Sequence, residues 1–271
     1  MLLNVEHRTH YAYSEMVNYT IQQLRLTPQD GFGQRVKRWE IRVNGHLHRF
    51  DDTYGNAAHT LVVDTPHHEI SIIASGEVET GLDLPPIQHE LPLAIYLRAT
   101  PLTTADPALK AFAAGFSGQG DVDAVSLEAM MHAIIARVPY VKGSTAVDTS
   151  AAGAFQQGAG VCQDHAHIFI ACCRSLGIPA RYVSGYLFTE NGSLMESHAW
   201  ADVWLPDAGW LSFDISNGCR SSSLHVRLAV GLDYRDACPV SGMRMGGGLE
   251  TMGTSVHINS TQTNQFTQVQ Q

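Results

Sequence analysis

The sequence predicts an α+β protein, with strands first, helices in the middle and strands again after them. Three observations carry this expectation. Short runs of period-two alternation, separated by turn residues, fill about the first 80 positions. Helical periodicity begins only after Pro101, and the first two helices start behind an aspartate that can cap a first turn. The 271 residues, 44% hydrophobic and 16% charged, are enough to bury a core and exclude a disordered chain.

Leu3, Val5, His7, Thr9 and Tyr11 alternate with polar neighbours, and Trp39, Ile41 and Val43 alternate again up to the turn signal Asn44-Gly45. Asp51 to Asn56 reads as a further turn. Leu61 to Val63 and Ile70 to Ala74 read as short strands. Residues 1–85 are therefore expected to form a small β-sandwich. Residues 86–104 carry Pro86, Pro92 and Pro101 and read as a Pro-rich linker. A core spanning 105–225 follows. Asp106-Pro107 opens a helix through Leu109, Phe112 and Ala113. A second begins after Asp123, with Leu127, Met130, Met131, Ile134, Ile135 and Val138 on one face, and Pro139 stops it. A third starts near Cys162, buries Ala166, Phe169, Ile170, Cys173 and Leu176, and ends at Gly177. Strands follow over 180–188, 196–205 and 210–216, with turns at Asn191-Gly192 and Pro206 to Gly209. Residues 226–259 read as C-terminal strands packing on the core or on the N-terminal region, bent at Gly246 to Gly248. Residues 260–271 read as a polar tail.

A formal charge of −9 disfavours nucleic acid and anionic membranes as partners. No basic then apolar leader opens the chain, and no run reaches the roughly 18 apolar residues of a membrane helix, so the cytoplasm is the expected compartment. The five cysteines are odd in number and form no C-x-x-C pair. A disulfide framework is not expected, and a single reactive thiol is.

That thiol is Cys162. It sits at a helix start behind Gly158 and Gly160. There the helix dipole and unpartnered N–H groups favour a thiolate and can cradle an oxyanion. The glycines are read as letting a substrate backbone approach. His198 lies on one strand and Asp214 on the next, with the turn near Asp207 placing them opposite or one diagonal apart. Equal parity puts both on one face, so the aspartate can orient the imidazole. The order Cys162, His198, Asp214 fits a nucleophile, its base and an orienting acid.

These segments resemble a known family. Gly160-Val-Cys-Gln-Asp-His-Ala-His167, Arg174 to Tyr186, Ser197-His-Ala-Trp-Ala-Asp-Val-Trp204 and Trp210 to Asp214 are similar to the bacterial transglutaminase-like family of cysteine proteases. Val5 to Tyr13 and Asp51 to Asn56 resemble its β-rich N-terminal region, and Val147 to Ala151 and Gly231 to Tyr234 also fit. The resemblance implies a papain-like core and thiol acyl chemistry on the amide bonds of a peptide or glutamine-type substrate. It carries the nucleophile to Cys162, the base to His198 and the acid to Asp214. Hydrolysis is expected over cross-linking, with no cofactor and no metal. No calcium loop is present, and Asp121-Val-Asp123 reads as a helix cap.

Further candidates surround this set. Gln163 is a candidate oxyanion donor. Asp164 is a cleft candidate that could equally cap its helix or hold a loop. Trp200 could shelter the imidazole. Cys172 and Cys173, in mid-helix, read as structural. Two rival functions remain open at this stage. One is a non-catalytic interaction module that keeps the fold. The other is a zinc protein using Cys162, His165 and His167 with His198, although Cys162 and His167 lie far apart around a helix.

Overall fold

A computed structural model describes residues 1–86, 91–117, 122–189 and 197–261. The turn expected at Asn191-Gly192, Asp121, part of the expected linker and the tail beyond residue 261 lie outside the described residues.

β1 (Leu2–Leu24) is 23 residues long. Leu3, Val5, His7, Thr9 and Tyr11 are all buried on one face, as their alternation requires. β2 (Gln34–Val43), β3 (His46–Asp51), β4 (Ala57–Val63) and β5 (His67–Thr80) follow it. β5 and β4 pair antiparallel with successive halves of β1, so they read as one interrupted strand along its edge. β2 and β3 form a second interrupted strand outside that one. Asn44-Gly45 therefore interrupts a strand and does not close a hairpin: β2 pairs with β5 and β3 with β4. The reason is visible at Asn44. Its side chain donates to the Glu69 carbonyl at 3.1 Å and accepts from the Ser71 N–H at 2.9 Å, replacing ladder bonds where β2 ends.

The other edge of β1 is filled from the far end of the chain. β11 (Val240–Gly246) pairs with residues 17–24 and β12 (Glu250–Thr261) with residues 2–13. Gly246, Gly247 and Gly248 all have positive φ and make the break between them. The break between β11 and β12 falls opposite Ser14 to Met16 of β1 and that between β4 and β5 opposite Asn18 and Tyr19, and the seven-stranded sheet is nearly closed.

The stretch read as a linker is packed. A 3-10 helix, Leu93–Leu97, buries Tyr96, and the Arg174 guanidinium donates to the Tyr96 carbonyl and to Thr103. α1 (Pro107–Ala114) and α2 (Ala124–Arg137) are capped by Asp106 and Asp123, whose carboxylates accept from the Leu109 and Ser126 N–H groups. α3 (Ala151–Gln157) does not follow from the periodicity. It spans seven residues, too few for a stripe, and is defined by its ends: Ser150 accepts from the Gly153 N–H, and Gly158 closes it at φ 73°. α4 (Cys162–Ser175) is buried on every side from Asp164 to Arg174, because α1, α2 and α3 cover it and strands of the core sheet lie against it. The expected stripe understates that burial.

The core sheet has the order β10-β6-β7-β8-β9. Its strands are β6 (Ala180–Leu187), β7 (His198–Leu205), β8 (Gly209–Asp214), β9 (Cys219–Arg220) and β10 (His225–Gly231), and a short helix, α5 (Tyr234–Ala237), follows. No helix among the described residues is long and apolar enough to cross a membrane.

β10 is an edge strand, and a buried edge must find partners for its backbone. Two amides of the N-terminal sheet supply them. Gln34 donates to the Arg227 carbonyl at 3.0 Å and accepts from the Arg227 N–H at 2.8 Å. Asn56 does the same for Val230, at 2.7 and 2.8 Å. Asp52 holds the turn that presents Asn56, accepting from the Tyr54 and Asn56 N–H groups and from Arg25.

Asn56→Ala leaves the Val230 N–H and carbonyl without partners, and each orphaned buried group costs about 1–3 kcal/mol. A urea midpoint should fall accordingly, whereas Arg38→Ala, which removes an exposed pair with Glu77, should cost under about 1 kcal/mol. Equal midpoints for the two variants would refute the role given to Asn56.

Candidate active site

Cys162 is the first residue of α4, preceded by Val161 in extended conformation. The first turn of a helix leaves its N–H groups without intrahelical acceptors, so backbone donors surround the thiol. The two glycines before it serve the fold and not a substrate. Gly158 ends α3 in the left-handed region, and a Cβ at Gly160 would lie 2.8 Å from the Asp164 Cβ. Asp164 is a correction to the cleft expectation. It is 1% exposed, and its Oδ2 accepts from the Val161 N–H at 2.8 Å and the Thr145 hydroxyl at 2.6 Å. It ties the neighbouring loop to the helix start and does not line the cleft.

His198 opens β7 and Asp214 ends β8. The register sets Ala201 opposite Phe213 and Asp202 opposite Ser212, so Asp214 faces Trp200 and stands one diagonal from His198. The His198 Nε2 lies 2.8 Å from the Asp214 Oδ2. A carboxylate only accepts, so Nε2 carries the proton and Nδ1 is left for the cleft that His198 shares with Cys162. Burial alone would push this imidazole down. The hydrogen bond to Asp214 and the neighbouring Cys162 outweigh it and hold the group at about 10.

Asp214 is fully buried, which by itself favours the neutral acid. Three donors overcome that and hold it well below the usual carboxylate range: His198, His225 and Asn217. The His225 Nε2 stands 2.9 Å from Oδ2, and the Asn217 Nδ2 donates to the same oxygen at 2.7 Å. The sequence reading missed both. Asn217 was findable, since Asp-x-x-Asn before Gly218 is a turn pattern and the Asn217 N–H donates back to Asp214. His225 was not, because it starts β10, at the opposite edge of the sheet from β8 and β9.

Trp200 is 1% exposed. It sits beneath the site and not in the cleft, with its ring 6.0 Å from His198 and edge-on to His225 at 5.2 Å. Gly185, opposite His198, makes room for it: a Cβ there would lie 2.5 Å from the indole. Gln163 does line the cleft, but its amide donates to the Val147 carbonyl at 2.8 Å. The cleft measures about 610 Å³, and Cys162, Gln163, Tyr182 and His198 are among its described walls.

The histidines read as possible zinc ligands are spent elsewhere. His165 lies 2.7 Å from the Val138 carbonyl and 2.8 Å from the Ser216 hydroxyl. The His167 Nε2 accepts from the Tyr234 N–H. Among the described residues the grouping that could hold a cation is instead His198, Asp214 and His225, whose ligand atoms lie within 4.8 Å of one another. These atoms already pair with one another, imidazole to carboxylate. Cys172 and Cys173 are buried, and burial pushes Cys172 up to about 12. Cys162 is the cysteine that lines this cleft beside His198.

Known proteins share this architecture. The model of the transglutaminase-like superfamily matches residues 110–215, and that of the bacterial transglutaminase-like N-terminal region matches residues 3–79. The uncharacterized protein ML0607 of Mycobacterium leprae is 30% identical over 279 residues, 94% of this chain and 98% of that protein. A protein-glutamine gamma-glutamyltransferase of Pseudomonas aeruginosa is 31% identical over 108 residues, 34% of this chain and 16% of that protein. The solved "Putative Cysteine Protease from Cytophaga hutchinsonii" superposes with a TM-score of 0.76 at 24% identity, covering 96% of this chain and 90% of that one.

Because the folded value of His198 lies above its ordinary 6.5, its contribution to stability is whole below pH about 6.5 and is lost as pH rises through about 10. Nitrogen NMR of the ring should show it protonated at pH 8, and Asp214→Asn should bring its midpoint down by at least about two units. A midpoint near 6.5 in the unaltered protein would contradict the pairing.

Proposed function

From the premise that the chain belongs to the bacterial transglutaminase-like family, we propose that it is a thiol enzyme cleaving amide bonds through Cys162, His198 and Asp214. One observation carries the reading: the cysteine at the start of α4 shares its cleft with an imidazole whose far nitrogen is held by a buried carboxylate.

The chemistry follows from those atoms. The Cys162 sulfur attacks the carbonyl carbon of a peptide or glutamine-type amide. N–H groups of the first turn of α4 stabilise the oxyanion. His198 gives its proton to the departing nitrogen as the C–N bond breaks, leaving a thioester and a neutral imidazole. Water then attacks the thioester and loses a proton to His198. The C–S bond breaks, and the acid and the sulfur anion are released. Asp214 keeps the imidazole in the tautomer that both transfers need. Water is the acceptor we favour over a second amine, since the cleft opens to solvent past Tyr140, which is 51% exposed. A peptide or protein is the proposed substrate. The cytoplasm is the proposed compartment, because free cysteines suit reducing surroundings.

Incubation with a peptide library, with and without added amine, tests this by mass. Hydrolysis or deamidation products should form, and Cys162→Ala should abolish them. His198→Ala and Asp214→Asn should slow turnover by roughly 10²–10⁴-fold. Iodoacetamide near pH 6 should alkylate Cys162 well ahead of the other thiols. Unchanged turnover in Cys162→Ala would end the assignment, and uniform labelling would favour a non-catalytic module.

A further inference from the structure

A second buried cluster lies further along β7 and carries an imbalance of charge. Asp202 is fully buried between two guanidiniums. Arg227 gives it both terminal nitrogens, at 2.7 and 2.8 Å, and Ser212 gives its hydroxyl at 2.6 Å. Arg181 gives it only Nε, at 2.9 Å. Burial disfavours the carboxylate, but Arg227 and Arg181 outweigh that and keep it ionised. Two buried cations therefore share one anion.

The shortfall has a location. Arg181 is 0% exposed, and among the described residues neither its Nη1 nor its Nη2 has a hydrogen-bond partner. The Tyr96 hydroxyl is also buried and unpartnered. Both residues line one cavity of about 460 Å³, together with Leu93, Trp204 and Trp210. Trp210 stacks on the guanidinium, 4.1 Å from its carbon. An aromatic face stabilises the charge but accepts no N–H in the plane of the fork. Phe32, the one non-glycine residue with positive φ among those described, sets its ring 5.2 Å from Arg181 and 3.9 Å from Arg227. It adds a further apolar contact and no acceptor.

We infer that this cavity is a binding site for a carboxylate carried on an apolar or aromatic body. The unpaired Nη1 and Nη2 of Arg181 belong to one planar fork, the geometry that a carboxylate accepts bidentately, and a carboxylate reaches them by displacing the side chains that cover them. The volume lies within the range of small-ligand sites, and the walls are two indoles, a phenol and a leucine. One negative charge balances the cluster. The site is separate from the Cys162 cleft: His198 and Trp204 stand six residues apart on β7, roughly 20 Å at about 3.3 Å per residue. The carboxylate can belong to a free small acid or to the C-terminus of a peptide ending in an apolar residue.

Calorimetry on the full chain tests this with 3-phenylpropionate against 3-phenylpropionamide, and with acetyl-Ala-Phe bearing a free or an amidated C-terminus. The acid of at least one pair should bind at least roughly 30-fold more tightly than its amide, because the amide cannot balance the guanidinium. The pair that discriminates identifies the source. Leu93→Glu, on a partly exposed wall, should place a carboxylate in the cavity, weaken the acid about tenfold or more and raise the melting temperature. Cys162→Ala should bind the acid as the unaltered chain does. Acids and amides that bind alike, no acid binding below about 10 mM, affinity unchanged in Leu93→Glu, or affinity lost in Cys162→Ala would each overturn the proposal.

Discussion

A carboxylate kept ionised out of contact with water is the constraint on which the site depends. Left alone at its depth, Asp214 would take up a proton and lose its hold on His198. It stays charged because donors reach it from three different elements: the start of β7, the turn after β8 and the start of β10. His225 is fixed for this task by its other nitrogen. The Ser222 N–H donates to Nδ1 at 3.1 Å, so Nε2 carries the proton that Asp214 receives. The imidazole that faces the cleft is thus poised by a second imidazole that never reaches it.

That arrangement gives the N-terminal sheet a mechanical part in the site. β10 is held on one side by β6 and on the other by the amides of Gln34 and Asn56. These side chains act as a surrogate strand, and they come from a region that contributes no residue to the proposed chemistry. The C-terminal strands β11 and β12 return to β1, so both ends of the chain close the same sheet against the core. The position of His225 is therefore set by contacts far along the chain from Asp214.

What the sequence made legible was local. Asp106, Asp123 and Pro139 bound their helices because caps and breakers act within one turn. The placement of His198 against Asp214 followed from parity and a short turn. What escaped was either too short or too distant. α3 has too few residues for a period. Asn44-Gly45 has the composition of a hairpin turn, but the long partner strands keep β2 and β3 in line. Gly160 was misread because its neighbour, the folded-back carboxylate of Asp164, cannot be inferred from spacing. His225 and Arg227 meet their partners only through sheet order.

Asp202 and Asp214 belong to the same pair of strands, and both stay ionised in the interior. They differ in what faces them. Asp202 is held by guanidiniums, which keep their protons at any pH the fold tolerates, so its pairing is a fixed charge and can only hold structure or a counter-ion. Asp214 is held by imidazoles and an amide. One of those imidazoles opens onto a cleft beside a thiol, and an imidazole can give up a proton and take it back. The identity of the cation beside each aspartate, and not the depth of the carboxylate, divides this strand pair into a region that can move protons and one that can only balance them.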